Sequence, residues 1–243
     1  MHTHTLAPID TALERVATER RALDTERAAY ETFANRVAPL DVAVPAHQST
    51  ASQTLPSAVG VDRRPCGTDP IREAFRDTVM SVPHYDADYG ESLLAHASGE
   101  LSPELARGLQ SDAPPPGFKR TLLDEVEDAI KRRRSLLDHL VTEADSLAAA
   151  RSALRDVVAG LDSVWGRREG GASAGPTPDK LTEQCRAVIE DRQSLVQNRL
   201  FSSIHDGHDF CTYLYGDVDG WTYPVLSVAA SLRRDIDALD SSL

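Results

Sequence analysis

The chain has 243 residues, 38 acidic against 26 basic, a formal net charge of −12 and three cysteines. That length can bury a sizeable core. Cys66, Cys185 and Cys211 are odd in number, widely spaced and without a CxxC, which argues against a disulfide framework and for a reducing compartment. No apolar run approaches the roughly 18 residues of a membrane-spanning helix. "MHTHTLAPIDTALERV" turns directly into a charged helix without the apolar core of a signal peptide, so a soluble cytoplasmic protein is expected.

Residues 7–37 read as a coiled-coil helix. Ile9, Leu13, Val16, Leu23, Tyr30 and Val37 recur at a 3–4 spacing, with Arg20 and Arg27 in the gaps. Residues 38–68, with Pro39, Pro45, Pro56, Pro65 and Gly60 among small polar residues, read as a flexible linker. Residues 69–115 read as short helices. Asp69 is a candidate N-cap before Pro70, and Ser102 precedes Pro103 in the same arrangement.

Residues 118–165 hold no proline and keep a long apolar stripe from Leu123 to Trp165 that includes Ala144, with Arg133 and Arg151 in its gaps. At 1.5 Å per residue this spine helix is about 70 Å long. The Gly/Ser/Pro-rich 166–178 is a flexible turn. Residues 179–203 form a returning helix on which Leu181, Cys185, Val188 and Leu195 alternate with Arg192 and Arg199. Residues 205–243 supply two further helices. The expected fold class is all-α: an antiparallel coiled-coil or three-helix rod with a small head at one end, made from 69–115 and 205–243.

Chemistry is most densely suggested at "SSIHDGHDFCTYLYGDVDGW", 202–221. His205 and His208 stand three apart, with Asp209 and Cys211 beside them, a spacing that could hold one metal ion on a helix face. The plainer reading is a capped hinge: Asp206 or Asp209 accepts backbone N–H groups at a helix start, and Cys211 is a small buried apolar group. Calcium-loop readings fail, because the sixth and twelfth positions counted from Asp86 are Glu91 and Ala97 rather than glycine and glutamate. "KRRRS" at 131–135 spreads its charges around a helix between acidic flanks, so no nucleic-acid face is expected. Neither GK[ST], GxGxxG nor HExxH occurs, and no cofactor is expected.

Aromatic residues concentrate in two places, Tyr85 and Tyr89 in 82–92 and Phe210, Tyr213, Tyr215, Trp221 and Tyr223 further on. They are expected to dock on each other in the head, with Asp86, Asp88, Asp217 and Asp219 accepting their hydroxyls or capping helices. Arg20, Arg133 and Arg192 stand in seams where a guanidinium needs either a route to water or a carboxylate. Glu19, Asp138, Glu143 and Asp191 are the nearest carboxylates in sequence. Val16, Arg20, Leu23 and Arg27 also match Val188, Arg192, Leu195 and Arg199 at a constant offset, the mark of a weak internal repeat or of shared heptad grammar.

Two segments, "FRDTVMSVPHYDADYGESL" (75–93) and "FCTYLYGDVDGWTYPVLSVAASL" (210–232), resemble those of a family of uncharacterised helical proteins, domains of unknown function, from halophilic archaea. The resemblance covers nearly the whole chain outside 38–68. It implies an all-helical plan and a high-salt cytosol, and it transfers no catalytic residue. Acid excess, abundant alanine and only three lysines (Lys119, Lys131 and Lys180) among the basic residues point to the same high-salt cytosol. The expected function is therefore that of a non-enzymatic helical interaction or structural protein in a halophile, with a protein partner or self-association through the coiled coil. The competing reading is a metal- or small-ligand-binding protein with its site between 82–92 and 205–221.

Overall fold

The structure is a computed structural model and describes residues 5–41, 67–168, 175–200 and 210–240. Most of the 38–68 linker, the centre of the 166–178 turn, and His205, His208 and Asp209 lie outside the described residues. Within them the fold is all-α and no strand occurs. The helices are α1 (Ala7–Val37), α2 (Asp69–Asp77), α3 (Tyr85–Asp88), α4 (Leu93–Glu100), α5 (Pro103–Gln110), α6 (Phe118–Arg168), α7 (Pro178–Leu200), α8 (Phe210–Tyr215) and α9 (Pro224–Asp240), with a 3₁₀ turn at Val79–Ser81. The spine helix α6 runs 51 residues without interruption.

The chain divides into two compact units. One is contiguous, Arg21–Leu137; the other is split, taking residues up to Arg20 and from Asp138 onward. The two segments expected to form one head belong to different units: 69–115 lies in the contiguous one, α8 and α9 in the split one.

Sequence explains how the short helices of the contiguous unit start and stop. Ser92 and Ser102 each accept a backbone N–H, from Ala95 at 3.3 Å and Leu105 at 3.2 Å, at the starts of α4 and α5. Pro103 occupies the first turn, where its missing N–H is harmless. The start of α2 differs from expectation. Thr68 rather than Asp69 holds the cap position, and its hydroxyl is turned to the Leu109 carbonyl at 2.7 Å instead. Gly90, at φ +57°, ends α3 by donating its N–H to the Tyr85 carbonyl at 3.0 Å. Lys119 closes α1: its ammonium donates to the Ala38 and Leu40 carbonyls at 2.5 and 2.7 Å, where the helix dipole favours a cation.

The apolar core of this unit gathers Tyr30, Phe33 and Val37 of α1, Ile71 and Phe75 of α2, Leu105 and Leu109 of α5, and Phe118, Leu122 and Val126 of α6. Phe75 is its hub. The ring meets Phe33 edge-on at 5.1 Å and Tyr30 at 6.4 Å, in the T-shaped geometry that aromatic quadrupoles favour.

In the split unit, Ile9, Ala12 and Val16 of α1 are buried, as are Leu140, Leu147, Leu154 and Leu161 of α6, Leu181, Cys185 and Val188 of α7, and Val225, Leu232, Ile236 and Leu239 of α9. Helices α7 and α9 pack along one another. Gly160 lets α7 approach α6 closely, since a Cβ there would fall 2.5 Å from the Leu181 side chain. The loss of an aromatic hub from a close-packed core leaves a cavity as well as lost burial. The Phe75→Ala variant is therefore expected to lose about 3–5 kcal/mol of stability, read as a lower denaturation midpoint in urea.

Candidate functional site

Polar chemistry inside this protein is concentrated in two buried arginine–carboxylate clusters, one within each unit. In the contiguous unit the centre is Arg133 of α6, 6 % exposed. Its Nε donates to Glu26 of α1 at 2.8 Å and its Nη2 to Glu100 of α4 at 2.9 Å. The guanidinium lies 4.4 Å over the Tyr30 ring, a favourable cation–π position. Glu26 is only 7 % exposed and is gripped from a second side: its Oε1 lies 3.0 Å from His84 Nε2 and accepts the Tyr89 hydroxyl at 3.1 Å. Tyr30 in turn meets His96 Nε2 at 3.2 Å.

These surroundings move the protonation equilibria. Burial works to strip Arg133 of its proton, but the Tyr30 oxygen and the carboxylates of Glu100 and Glu26 outweigh it and fix the guanidinium in its charged form. Burial, with Glu26 and Glu100 adding to it, raises Tyr89 well above the usual phenol range; Tyr30 is raised by burial too, against the pull of Arg133. Both phenols are hydrogen-bonding groups here, not acids.

In the split unit the centre is Arg192 of α7, whose side chain is 1 % exposed, facing Glu143 of α6 at 0 %. The pair is bidentate, Nη2 to Oε1 at 2.7 Å and Nη1 to Oε2 at 2.9 Å, the fork geometry that distinguishes arginine from lysine. Ser146 accepts from Nη1 at 3.2 Å, the Cys211 sulfur lies 3.8 Å from Nη2, and the Tyr215 hydroxyl donates to Glu143 at 2.8 Å. Burial and Glu143 together raise Tyr215. Cys185, buried in the same unit, is raised by desolvation to about 11, so it is an inert thiol at neutral pH.

The residues singled out by sequence are placed unequally. Arg133 and Arg192 are interior. Arg20 is exposed, although it matches Arg192 in the apparent repeat. Arg133 reaches Glu26 and Glu100, neither of them among its nearest carboxylates in sequence. Tyr215 is fully buried and its ring lies 5.6 Å from that of the half-buried Trp221, tilted by 53°, whereas Tyr213 and Tyr223 are exposed. The expectation that aspartates serve the tyrosines is corrected. Tyr89, Tyr213 and Tyr215 donate to the glutamates Glu26, Glu19 and Glu143, and Tyr85 donates to the Glu91 carbonyl at 3.3 Å. Asp86 is exposed in the first turn of α3, and Asp217 pairs instead with Arg15 at 2.6 Å. Cys211 is 1 % exposed. Among the described residues no group of three or more His, Cys, Asp or Glu is arranged to hold a metal ion.

Glu26, His84, His96 and Glu100 were missed by sequence reasoning, while Glu143 was named only as a nearby carboxylate; for the buried Glu26 and Glu143 a signal of burial existed. Glu26 stands three residues after Leu23 and four before Tyr30; Glu143 stands three after Leu140 and four before Leu147. Each carboxylate thus occupies an apolar slot of the repeat. The stripe placed Arg27 and Ala144 there instead, one residue off; Arg27 is half-buried and pairs with Asp24 and Glu31.

Breaking a buried pair strands a charge, while replacing both members with apolar groups does not. Arg192→Met alone is expected to lose about 3–5 kcal/mol, and Arg192→Met combined with Glu143→Leu to recover most of that loss, measured by urea unfolding. The Arg192→Met loss should persist in molar KCl. Any effect of Arg15→Ala, whose partner Asp217 is largely exposed, should vanish there.

No curated protein and no solved structure matches the chain. A family model described as "Domain of unknown function (DUF7260)" matches residues 7–240, from the first turn of α1 to the end of α9. It takes in both clusters, and the chain belongs to that family.

Proposed function

We propose that this is a non-enzymatic helical interaction or structural protein of a halophile, in which the buried ion pairs fix how the helices of each unit register. The observation that carries this reading is that the buried arginines and glutamates bond to one another and to neighbouring phenols. Arg192 and Glu143 are both enclosed and bidentate, and Glu26 is held by an arginine, a histidine and a tyrosine at once. A carboxylate with its acceptor sites so occupied is poorly placed for acid–base work on a substrate, which needs a free lone pair within reach. The cavity lined by Glu26, Tyr30, Tyr85, Tyr89, His96 and Arg133 is about 10 Å³, room for about one water.

The surface supports the halophile half of the reading. Exposed carboxylates in excess repel one another at low ionic strength, and molar salt shortens the range of that repulsion to about 3 Å. Dialysis from molar KCl to low salt is expected to lower the helical circular-dichroism signal and the melting temperature. Unchanged melting across that range would remove the halophile inference. For the interaction role, chemical crosslinking and light scattering at native salt should show a stoichiometric partner or a self-associated species. A strictly monomeric, uncrosslinked chain carrying stoichiometric zinc or nickel would favour a metal-binding role instead.

A further inference from the structure

His96 of α4 is a histidine inside the core, 2 % exposed. Phe75 of α2 stands 5.8 Å from its ring, Tyr85 and Tyr89 of α3 at 5.2 and 4.8 Å. Its Nε2 is satisfied by the Tyr30 hydroxyl, while its Nδ1 meets no hydrogen-bond partner among the described residues. We propose that His96 is an acid-sensitive latch of the contiguous unit: its site accepts the neutral ring, and a proton added to that ring loosens α2, α3 and α4 around it.

An imidazolium donates from both nitrogens. At Nε2 it would have to donate to the Tyr30 oxygen, so the Tyr30 hydroxyl could no longer donate to the ring. At Nδ1 the adjoining cavity, about 10 Å³, offers room for about one water, far short of the hydration an ion loses on burial. The charged neighbours do not rescue it. Arg133 of α6 opposes a second cation. Glu26 of α1 and Glu100 of α4 would attract one, but both already neutralise Arg133, and Glu26 is also held by His84. Glu91, between α3 and α4, is exposed. Burial therefore prevails, and with Arg133 it holds the His96 pKa below the ordinary imidazole value against the pull of Glu100, Glu91 and Glu26.

The unfolded ring takes up its proton near pH 6.5, the folded ring only at lower pH. Below about pH 6.5 the unfolded state therefore binds more protons, and stability present at pH 7.5 is lost as the pH falls. The ceiling on this single-site effect is about 30-fold in the opening equilibrium between pH 7.5 and pH 5.

Hydrogen exchange resolved by segment and corrected for the intrinsic pH dependence reads this directly. Amides of residues 71–100 should open more readily in the wild type as the pH falls to 5, by up to that factor, and the added opening should be absent in His96→Gln, whose side chain does not titrate. An equal slope in His96→Gln overturns the proposal. Histidine-ring NMR of the wild type decides it independently should that variant not fold. A His96 ring that stays neutral below pH 6 while the fold persists supports the latch; a ring that titrates near 6.5 with the native spectrum intact overturns it.

Discussion

A guanidinium enclosed by protein must have a carboxylate beside it, and each unit of this structure is arranged around that requirement. Transfer of either ion alone into the interior costs several kcal/mol even after relaxation. The attraction between them offsets that cost only at hydrogen-bond distance and in the right plane, as Arg192 and Glu143 achieve with two parallel bonds. The constraint is positional. A sliding apolar stripe tolerates small shifts, but displacing α7 against α6 by one residue would strand both charges. Arg133 imposes the same condition in the contiguous unit, where it ties α6 to Glu26 of α1 and Glu100 of α4.

The tyrosines belong to this arrangement. A carboxylate with one cationic partner still has lone pairs to satisfy. Tyr215 meets that need at Glu143 and Tyr89 at Glu26, and each ring adds apolar area to the surrounding core. The phenols thus complete the polar interior while their rings extend the apolar one. The polar interior is not fully satisfied: His96 has one nitrogen bonded and the other without a hydrogen-bond partner, and the Nε of Arg192 also lacks one.

Charges on the surface obey different rules. Arg107–Glu104 and Lys131–Glu127 are exposed pairs within a single helix turn, and such pairs are weak and screened by salt. Arg151 approaches Asp10 at 2.6 Å, yet its Nε is not aligned for a directed hydrogen bond; the contact is one of charge proximity. Molar salt therefore weakens the outer layer of charge and leaves the interior pairs nearly untouched, so an acidic chain can keep a fixed helical packing in a medium that screens its surface. Arginine suits the interior positions better than lysine because its fork engages both carboxylate oxygens and cannot lose its proton.

Sequence by itself determined the helical class, the uninterrupted α6 and the serine-capped start of α5, because those depend on spacing and on residues within one turn of each other. It also marked Arg133, Arg192 and Tyr215 as residues needing partners. It named Glu143, the partner of Arg192, among the candidate carboxylates, but missed Glu26 and Glu100, the partners of Arg133. Arg20 and Arg192 occupy matching positions in similar segments, yet one is exposed and the other enclosed. Glu26 and Glu143 stand in apolar slots of the repeat, but spacing alone does not say which side chain covers each. Local periodicity is written in residues three and four apart. Burial depends on what arrives from elsewhere in the chain, such as Arg133 reaching Glu26 across 107 positions. Only the tertiary structure decided that, because the desolvation that makes an ion pair obligatory exists only after the helices have packed.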